Sequence, residues 1–273
     1  MRVTVLAENH SLRPDLIAEP GLALLIEDGE ERILFDTGRS DALLYNASQL
    51  GVDLATLSRV VLSHGHYDHS GGLPALSRLL RERAAPPLPL LAHPEAFRAR
   101  EARLGPITLR KLGAPLAASE LETSFELQLH AQPHAFADRY VFLGQIPRLR
   151  HAEGRGALGR LVDARGSRPD PVADDSALVR RGEQGLIIFS GCAHSGIRHI
   201  VDYAREVCAE PRVHAVIGGF HLRSAAPWRV WRTRRYFQQL APERLHACHC
   251  TGYARHALAR QHSIAAGSQL SFD

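Results

Sequence analysis

Lysine is almost missing from this 273-residue chain: of 33 basic residues only Lys111 is a lysine, and the others are arginine. The formal net charge is +4, yet the arginines are scattered through helical patterns and are not gathered in blocks. Aromatic residues make up only 6%. Nucleic-acid surfaces need basic tracks with interleaved aromatics, so no nucleic-acid partner is expected, and the scatter reads as a solvated surface. No apolar run of about 18 residues or more occurs, which argues against a transmembrane helix and a membrane partner. The opening MRVTVLAENH reaches Glu8 before a signal-peptide apolar region can form, so a cytoplasmic location is expected. Cysteine is scarce too: Cys192, Cys208, Cys248 and Cys250 make no C-x-x-C pair. With 45% hydrophobic residues the chain can build a core without disulfide staples. Cys208 falls in a helical pattern and reads as core, whereas the other three sit beside histidines.

What is abundant is metal-ligand chemistry. His64-Gly65-His66-Tyr67-Asp68-His69 follows the apolar run Val60-Val61-Leu62. Side chains alternate along an extended chain, so His64 and His66 point the same way and can share one ion. Asp68 and His69 come where Ser70-Gly71-Gly72 turns the chain toward a helix, and can swing to a second ion. Imidazole and carboxylate donors suit zinc, iron or manganese. A solvated histidine-rich turn is the bland alternative, and four ligand side chains in six residues weigh against it.

Strands are expected at 2–7, 22–26 and 32–35, the last two joined through Asp28-Gly29, a hairpin signal. Asp36 closes the third, either as a surface turn former or as a group reaching into a site at the carboxyl ends of the strands. Helices follow at 40–50 and 71–83, a short strand at 90–92, and a helix from His93-Pro94 to about Arg103. Short strands are expected at 107–109, 124–129 and 140–143. His130, His134 and His151 read as exposed loop histidines, and 161–175 as a surface loop. The apolar run Leu186–Phe189 marks a central strand covered on both faces; it ends at Gly191-Cys192-Ala193-His194-Ser195-Gly196 and enters a helix at 197–208. Two more strands, 213–217 and 245–247, lead to Gly218-Gly219-Phe220-His221 and Cys248-His249-Cys250-Thr251-Gly252, each followed by a helix, one around 231–240 and one from Tyr253. Trp228 and Trp231 suit an interface or the core. Counting the strand before His64, four strands end in a histidine-bearing loop and enter a helix. Loops at one end of a sheet converge, so these histidines are expected at one site. A single domain over 1–273 is expected, with an irregular substrate-side segment at about 85–165.

The stretch LSHGHYDHSGGL, with FDTG upstream, resembles the metallo-β-lactamase fold superfamily, whose signature is H-x-H-x-D-H. GCAHSGI, IGGFHL and HCTG, with the early ENH and the region of Asn46, look like the subgroup of dihydropterin ribofuranosylaminobenzene phosphate synthase-like proteins. The resemblance implies an α/β fold (α+β by some schemes), an αββα four-layer sandwich with a dinuclear site at one edge. It implies two divalent metal ions, zinc first with iron or manganese as alternatives: one on His64, His66 and His194, the other on Asp68, His69 and His249. Cys192 stands where the superfamily has a bridging aspartate, and is a thiolate ligand or packs underneath; His194 and His249 rank above His221, and His221 above Cys192. Catalytic roles fall to Asp68, which would orient or deprotonate the nucleophile, and His221, which would stabilise growing oxygen charge. Asp36 and Ser63 would fix imidazole orientation. Two ions about 3.5–4 Å apart lower the pKa of a bridging water, so the implied activity is a metallo-hydrolase acting on an ester or phosphoester of a small molecule, phosphorylated or pterin-like. Arg148, Arg150 and Arg223 are candidate phosphate contacts. An iron-dependent oxidoreductase on the same fold and a non-catalytic metal-loaded metabolite-binding protein are the alternatives. No flavin or haem motif is visible, a nuclease would need an inserted domain, and the oligomeric state is open.

Overall fold

A computed structural model describes residues 1–258 and 260–273. The chain forms two compact units: Met1–His130, Ala157–Asp174 and Ala265–Asp273 in the first, Ala131–Gly156 and Asp175–Ile264 in the second.

In the first unit a seven-stranded sheet runs in the order Gln269–Ser271, Arg2–Ala7, Ala23–Asp28, Glu31–Phe35, Arg59–Val61, Leu88–Ala92, Phe125–Leu129. The expected hairpin turns at Gly29, whose φ of 66° suits a residue without a Cβ. From Glu31–Phe35 onward pairing is parallel, with Phe35 opposite Val61 and Val61 opposite Leu91. That register sets Asp36 next to the chain leaving toward Ser63 and His64. Helices Ala42–Gln49 and Leu73–Glu82 bury Leu43, Leu73, Leu76 and Leu80 in the core cluster, the second with Pro74 in its first turn.

Two expectations fail in this unit. Residues 94–98 form turns, and Arg100–Leu104 is a strand rather than the end of a helix. Good helix formers are overruled by tertiary contacts, chiefly the buried ion pairs of Arg100 with Asp170 and Asp174. The span 161–175 is not a surface loop. Arg160–Asp163 and Gly166–Pro169 pair as a hairpin, which joins Arg100–Leu104 and Ile107–Lys111 in a four-stranded sheet. Its polar composition hides burial, because Asp170 and Asp174 are neutralised by Arg100.

The second unit holds a six-stranded sheet ordered Arg244–Cys248, Val213–Gly219, Gly185–Ser190, Ala177–Gly182, Tyr140–Phe142, His134–Phe136. The first three are parallel, with Ser190 opposite Gly218 and Gly219 opposite Cys248. Their carboxyl ends therefore leave the sheet at one edge. Gly185–Ser190 is buried at every position, as its apolar run predicts. Helix Ile197–Cys208 has the expected bounds; helix Pro227–Leu240 starts four residues early, at a proline suited to a first turn. Beyond the last strand, 3₁₀ turns run from His249 to Ala257, broken at Gly252, instead of a helix from Tyr253. Trp228 and Trp231 are about half exposed, so they are not core. Cys208 is half-buried at the rim of the core. His130, His134 and His151 are half-buried rather than exposed: His134 lies in a strand, and His151 bonds Asp202 at 2.8 Å. Among the described residues no helix is long and apolar enough to cross a membrane.

Candidate metal centre

The strand Arg59–Val61 delivers His64, His66 and His69 into buried positions. The rings of His64 and His66 lie 4.7 Å apart, and those of His64 and His69 4.3 Å apart. Asp36, left ambiguous by the sequence, is fully buried and organises this group. Its Oδ1 accepts the Ser63 backbone N–H at 2.7 Å, and its Oδ2 accepts the Ser63 hydroxyl at 2.7 Å. The same Oδ2 lies 2.7 Å from His69 Nδ1. Because the Ser63 hydroxyl donates to Asp36, its oxygen is left to accept from His64 Nδ1, 2.9 Å away. Both Nδ1 atoms are thereby held as donors, which leaves the Nε2 lone pairs of His64 and His69 for a cation. His64 Nε2 and His66 Nδ1 sit only 3.0 Å apart, a spacing that suits two nitrogens meeting over one ion. The donor set fits a divalent metal.

Two backbone features hold this loop. A Cβ on Gly65 would lie 1.6 Å from the Ala96 carbonyl oxygen, so only glycine fits between the two histidines. The Gly65 N–H donates to Asp174 Oδ2 at 2.8 Å, while Arg100 Nη2 donates to Asp174 Oδ1 at 2.6 Å. Burial pushes the Asp174 carboxyl up to about 6, against the pull of Arg100. Asp174 was not legible as a site residue because its stretch reads as loop; the signal was an acid-rich run facing a distant arginine.

Asp68 is half-buried beside Tyr67. The Arg110 guanidinium lies 4.0 Å from the Tyr67 ring centroid and that of Arg39 5.7 Å. Among the described residues neither arginine has a carboxylate partner, unlike Arg150, which pairs with Glu206. Arg148 donates to the Gly154 carbonyl, and Arg223 packs on Gly252. Unneutralised positive charge beside Tyr67 thus comes from Arg39 and Arg110, two arginines not singled out from the sequence.

In the second unit the parallel strand ends deliver Cys192, His194, His221 and His249. Ala193, His221 and His249 adopt φ of 52°, 49° and 49°, and Asp36 in the first unit has φ 57°. Such left-handed backbone is uncommon outside glycine and collects at functional sites. The rings of His194 and His221 lie 4.6 Å apart. Donor atoms of Cys192, His221 and Cys250 lie within 4.8 Å of one another, with the His221 N–H donating to Cys250 Sγ at 3.3 Å. Burial works against charge on both Cys250 and His221. It is outweighed: contacts with Cys192 and His221 hold the Cys250 thiol well below its ordinary range, and Cys250 lifts His221 above its own. Asp175 accepts from the Ser195 N–H at 2.8 Å and from the Ser195 hydroxyl, steadying the residue after His194. Cys250, beside His249, was expected near a metal but not given a ligand role, and Asp175, which holds the residue after His194, was not singled out.

The model of the metallo-beta-lactamase superfamily matches residues 16–249. A 7,8-dihydropterin-6-methyl-4-(beta-D-ribofuranosyl)-aminobenzene-5'-phosphate synthase from Methanocaldococcus jannaschii is 30% identical over 264 residues, covering 93% of this chain and 88% of that protein. A solved metal-dependent hydrolase of the β-lactamase superfamily superposes with a TM-score of 0.84 at 28% identity, covering 100% of this chain and 99% of the other. Zn²⁺-bound PqqB from Methylobacterium extorquens shares the fold, with a TM-score of 0.56 at 12% identity over 100% of both chains. Motif, strand topology and these likenesses agree: the chain has the metallo-β-lactamase fold and belongs to the metallo-beta-lactamase superfamily.

Proposed function

We propose that this chain is a dinuclear metal-dependent hydrolase of small-molecule esters or phosphoesters. The observation that carries the reading is the Asp36–Ser63 arrangement, which aims two imidazoles of the motif as metal ligands through 2.7–2.9 Å contacts. The ligand assignment comes from the family: His64, His66 and His194 for one ion, Asp68, His69 and His249 for the other. When bound, such ions supply Lewis acidity and make water acidic enough to ionise near neutral pH. Zinc is the first choice, given the imidazole-rich donors. The residues supply the rest. Asp68 takes or orients the proton of the attacking water, and His221, held above the ordinary imidazole range by Cys250, donates to the oxygen on which charge grows. Arg39 and Arg110 beside Tyr67 favour an anionic substrate such as a phosphorylated metabolite.

The relative's name describes a synthase that makes a phosphorylated pterin compound. This supports a phosphorylated or pterin-like substrate, and it raises a second reading, group transfer to an acceptor other than water. Protein purified without added metal should contain at least two zinc ions per chain and hydrolyse a generic phosphodiester or ester, while His66→Ala should lose most of the rate. Stoichiometric iron, or equal rates for wild type and variant on every substrate class, would sink the hydrolase reading. Incorporation of an added acceptor into product in place of water would favour transfer.

A further inference from the structure

We propose that Cys192, His221 and Cys250 form a sulfur-containing metal position of their own, complete within the second unit, which takes a thiophilic divalent ion such as zinc. This rests on the reading of the chain as a metalloprotein, not on hydrolysis. The three donors leave the carboxyl ends of three adjacent parallel strands, Gly185–Ser190, Val213–Gly219 and Arg244–Cys248, so the sheet itself brings them together. Their donor atoms lie within 4.8 Å of one another. Zinc–sulfur and zinc–nitrogen bonds of roughly 2.3 and 2.0–2.1 Å separate tetrahedral ligands by about 3.3–3.8 Å. Closing on an ion therefore asks each pair of loops to approach by roughly 1–1.5 Å at most.

The surroundings suit an ion better than a pair of packed thiols. A structural free cysteine sits among apolar groups, whereas Cys250 Sγ receives the His221 backbone N–H at 3.3 Å and contacts the Cys192 carbonyl at 3.5 Å. The His221 side chain faces the Cys250 sulfur, yet its buried Nδ1 makes no hydrogen bond of ordinary geometry among the described residues, a costly state for a polar nitrogen unless something binds there. Left-handed backbone at Ala193, His221 and His249 puts a sparsely populated conformation in all three loops, of the kind that collects at functional sites. Finally, a Cβ on Gly219 would come 2.6 Å from Cys250 Sγ and 3.4 Å from Cys192 Cα; glycine leaves the space the sulfur occupies. An imidazole that binds an ion through one nitrogen keeps the other N–H as a donor, so ligation by His221 is compatible with its proposed contact to substrate oxygen. Cys192 then serves this position and does not pack inertly under His194.

Cobalt(II) loaded into the full-length protein tests the site, because sulfur-to-cobalt charge transfer absorbs in the near ultraviolet and imidazole or carboxylate ligation does not. The band should be present in wild type, in His66→Ala and in Cys208→Ser, and should fall by at least tenfold in Cys250→Ser. Zinc content should drop by one ion in Cys250→Ser and leave His66→Ala with that ion in place. A second measurement needs no variant: zinc should slow iodoacetamide alkylation of Cys192 and Cys250 about tenfold relative to chelator-treated protein, read by mass spectrometry, while Cys208 is unaffected. A wild type without the band, a band unchanged in Cys250→Ser, or equal alkylation with and without zinc overturns the site. Absence of turnover with the band intact counts against the hydrolase reading alone.

Discussion

One carboxylate, Asp36, serves two side chains and a backbone amide at 2.7 Å each. In Asp36→Asn only one oxygen remains to accept, and an amide N–H₂ faces either Ser63 or His69. A donor then opposes a donor, and one imidazole loses its orientation. Outer contacts of this kind are worth about 10–100-fold in metal affinity. The variant should fold but bind its weaker ion at least tenfold less tightly in a chelator competition; wild-type affinity would remove Asp36 from the site. A separate residue-scale effect concerns His246. It is buried, its Nδ1 donates to the His262 carbonyl at 3.1 Å, and its Nε2 has no partner among the described residues. Burial lowers it to about 4. Since the unfolded chain titrates near 6.5, the unfolded state takes up protons first, and stability is full above about pH 6.5 and lost as pH falls toward 4. By pH 5 the loss is about 2 kcal/mol. Urea unfolding at pH 7 and pH 5 should show it in wild type, and the difference should shrink in His246→Gln. The metal motif was legible at this scale because its ligands are contiguous. The role of Asp36 was legible only through the family resemblance and the pairing of Cys250 was not, since each depends on partners 27 to 33 or 29 to 58 residues away.

At the scale of elements, strand ends were readable and irregular segments were not. An apolar run followed by glycine and a ligand marks a buried parallel strand meeting its loop, and Gly185–Ser190, Val213–Gly219 and Arg244–Cys248 all follow that rule. Residues 94–104 and 161–175 broke the local rules because distant charges decide their structure. Arg100 is one of the largest fully buried side chains, bonded to Asp170 at 2.7 Å and Asp174 at 2.6 Å. No window of local sequence shows an arginine that its acids lie 70 and 74 residues ahead. Removing one partner from a buried pair costs about 3–5 kcal/mol because a charge is left uncompensated. Asp170 still faces Arg100, so Asp174→Asn should fall at the low end, about 3 kcal/mol. It should also weaken metal binding, because the Gly65 N–H between His64 and His66 then bonds a weaker acceptor. Asp175→Asn, where the carboxylate holds Ser195, should weaken metal binding through the loop of His194 instead. Guanidinium unfolding and metal competition on the two variants would check both effects; a stable Asp174→Asn that binds metal normally would show that Arg100 needs only Asp170.

For the whole molecule, the proposed ligand assignment decides which substitutions would release the same ion. The first unit offers His64, His66, Asp68 and His69; the second offers Cys192, His194, His221, His249 and Cys250. Under the proposed assignment His66 and His194 hold the same ion, so losing either should release that ion. His66→Ala and His194→Ala should each lose one zinc, and the double variant should lose no more than either single one. Additive loss would show that the two histidines bind different ions. The same assignment makes stability depend on metal. Each ion that binds only the folded chain stabilises it by about 4 kcal/mol when free metal is 1,000 times Kd. At about 2–4 °C per kcal/mol for chains of 150–250 residues, chelation should lower the melting temperature by roughly 10 °C for each ion released. His66→Ala should melt between the metal-loaded and metal-free proteins, because it keeps the ions that its imidazole does not hold. A chelator that leaves the melting temperature unchanged would mean that the folded chain binds its ions weakly, and the catalytic reading would lose its foundation.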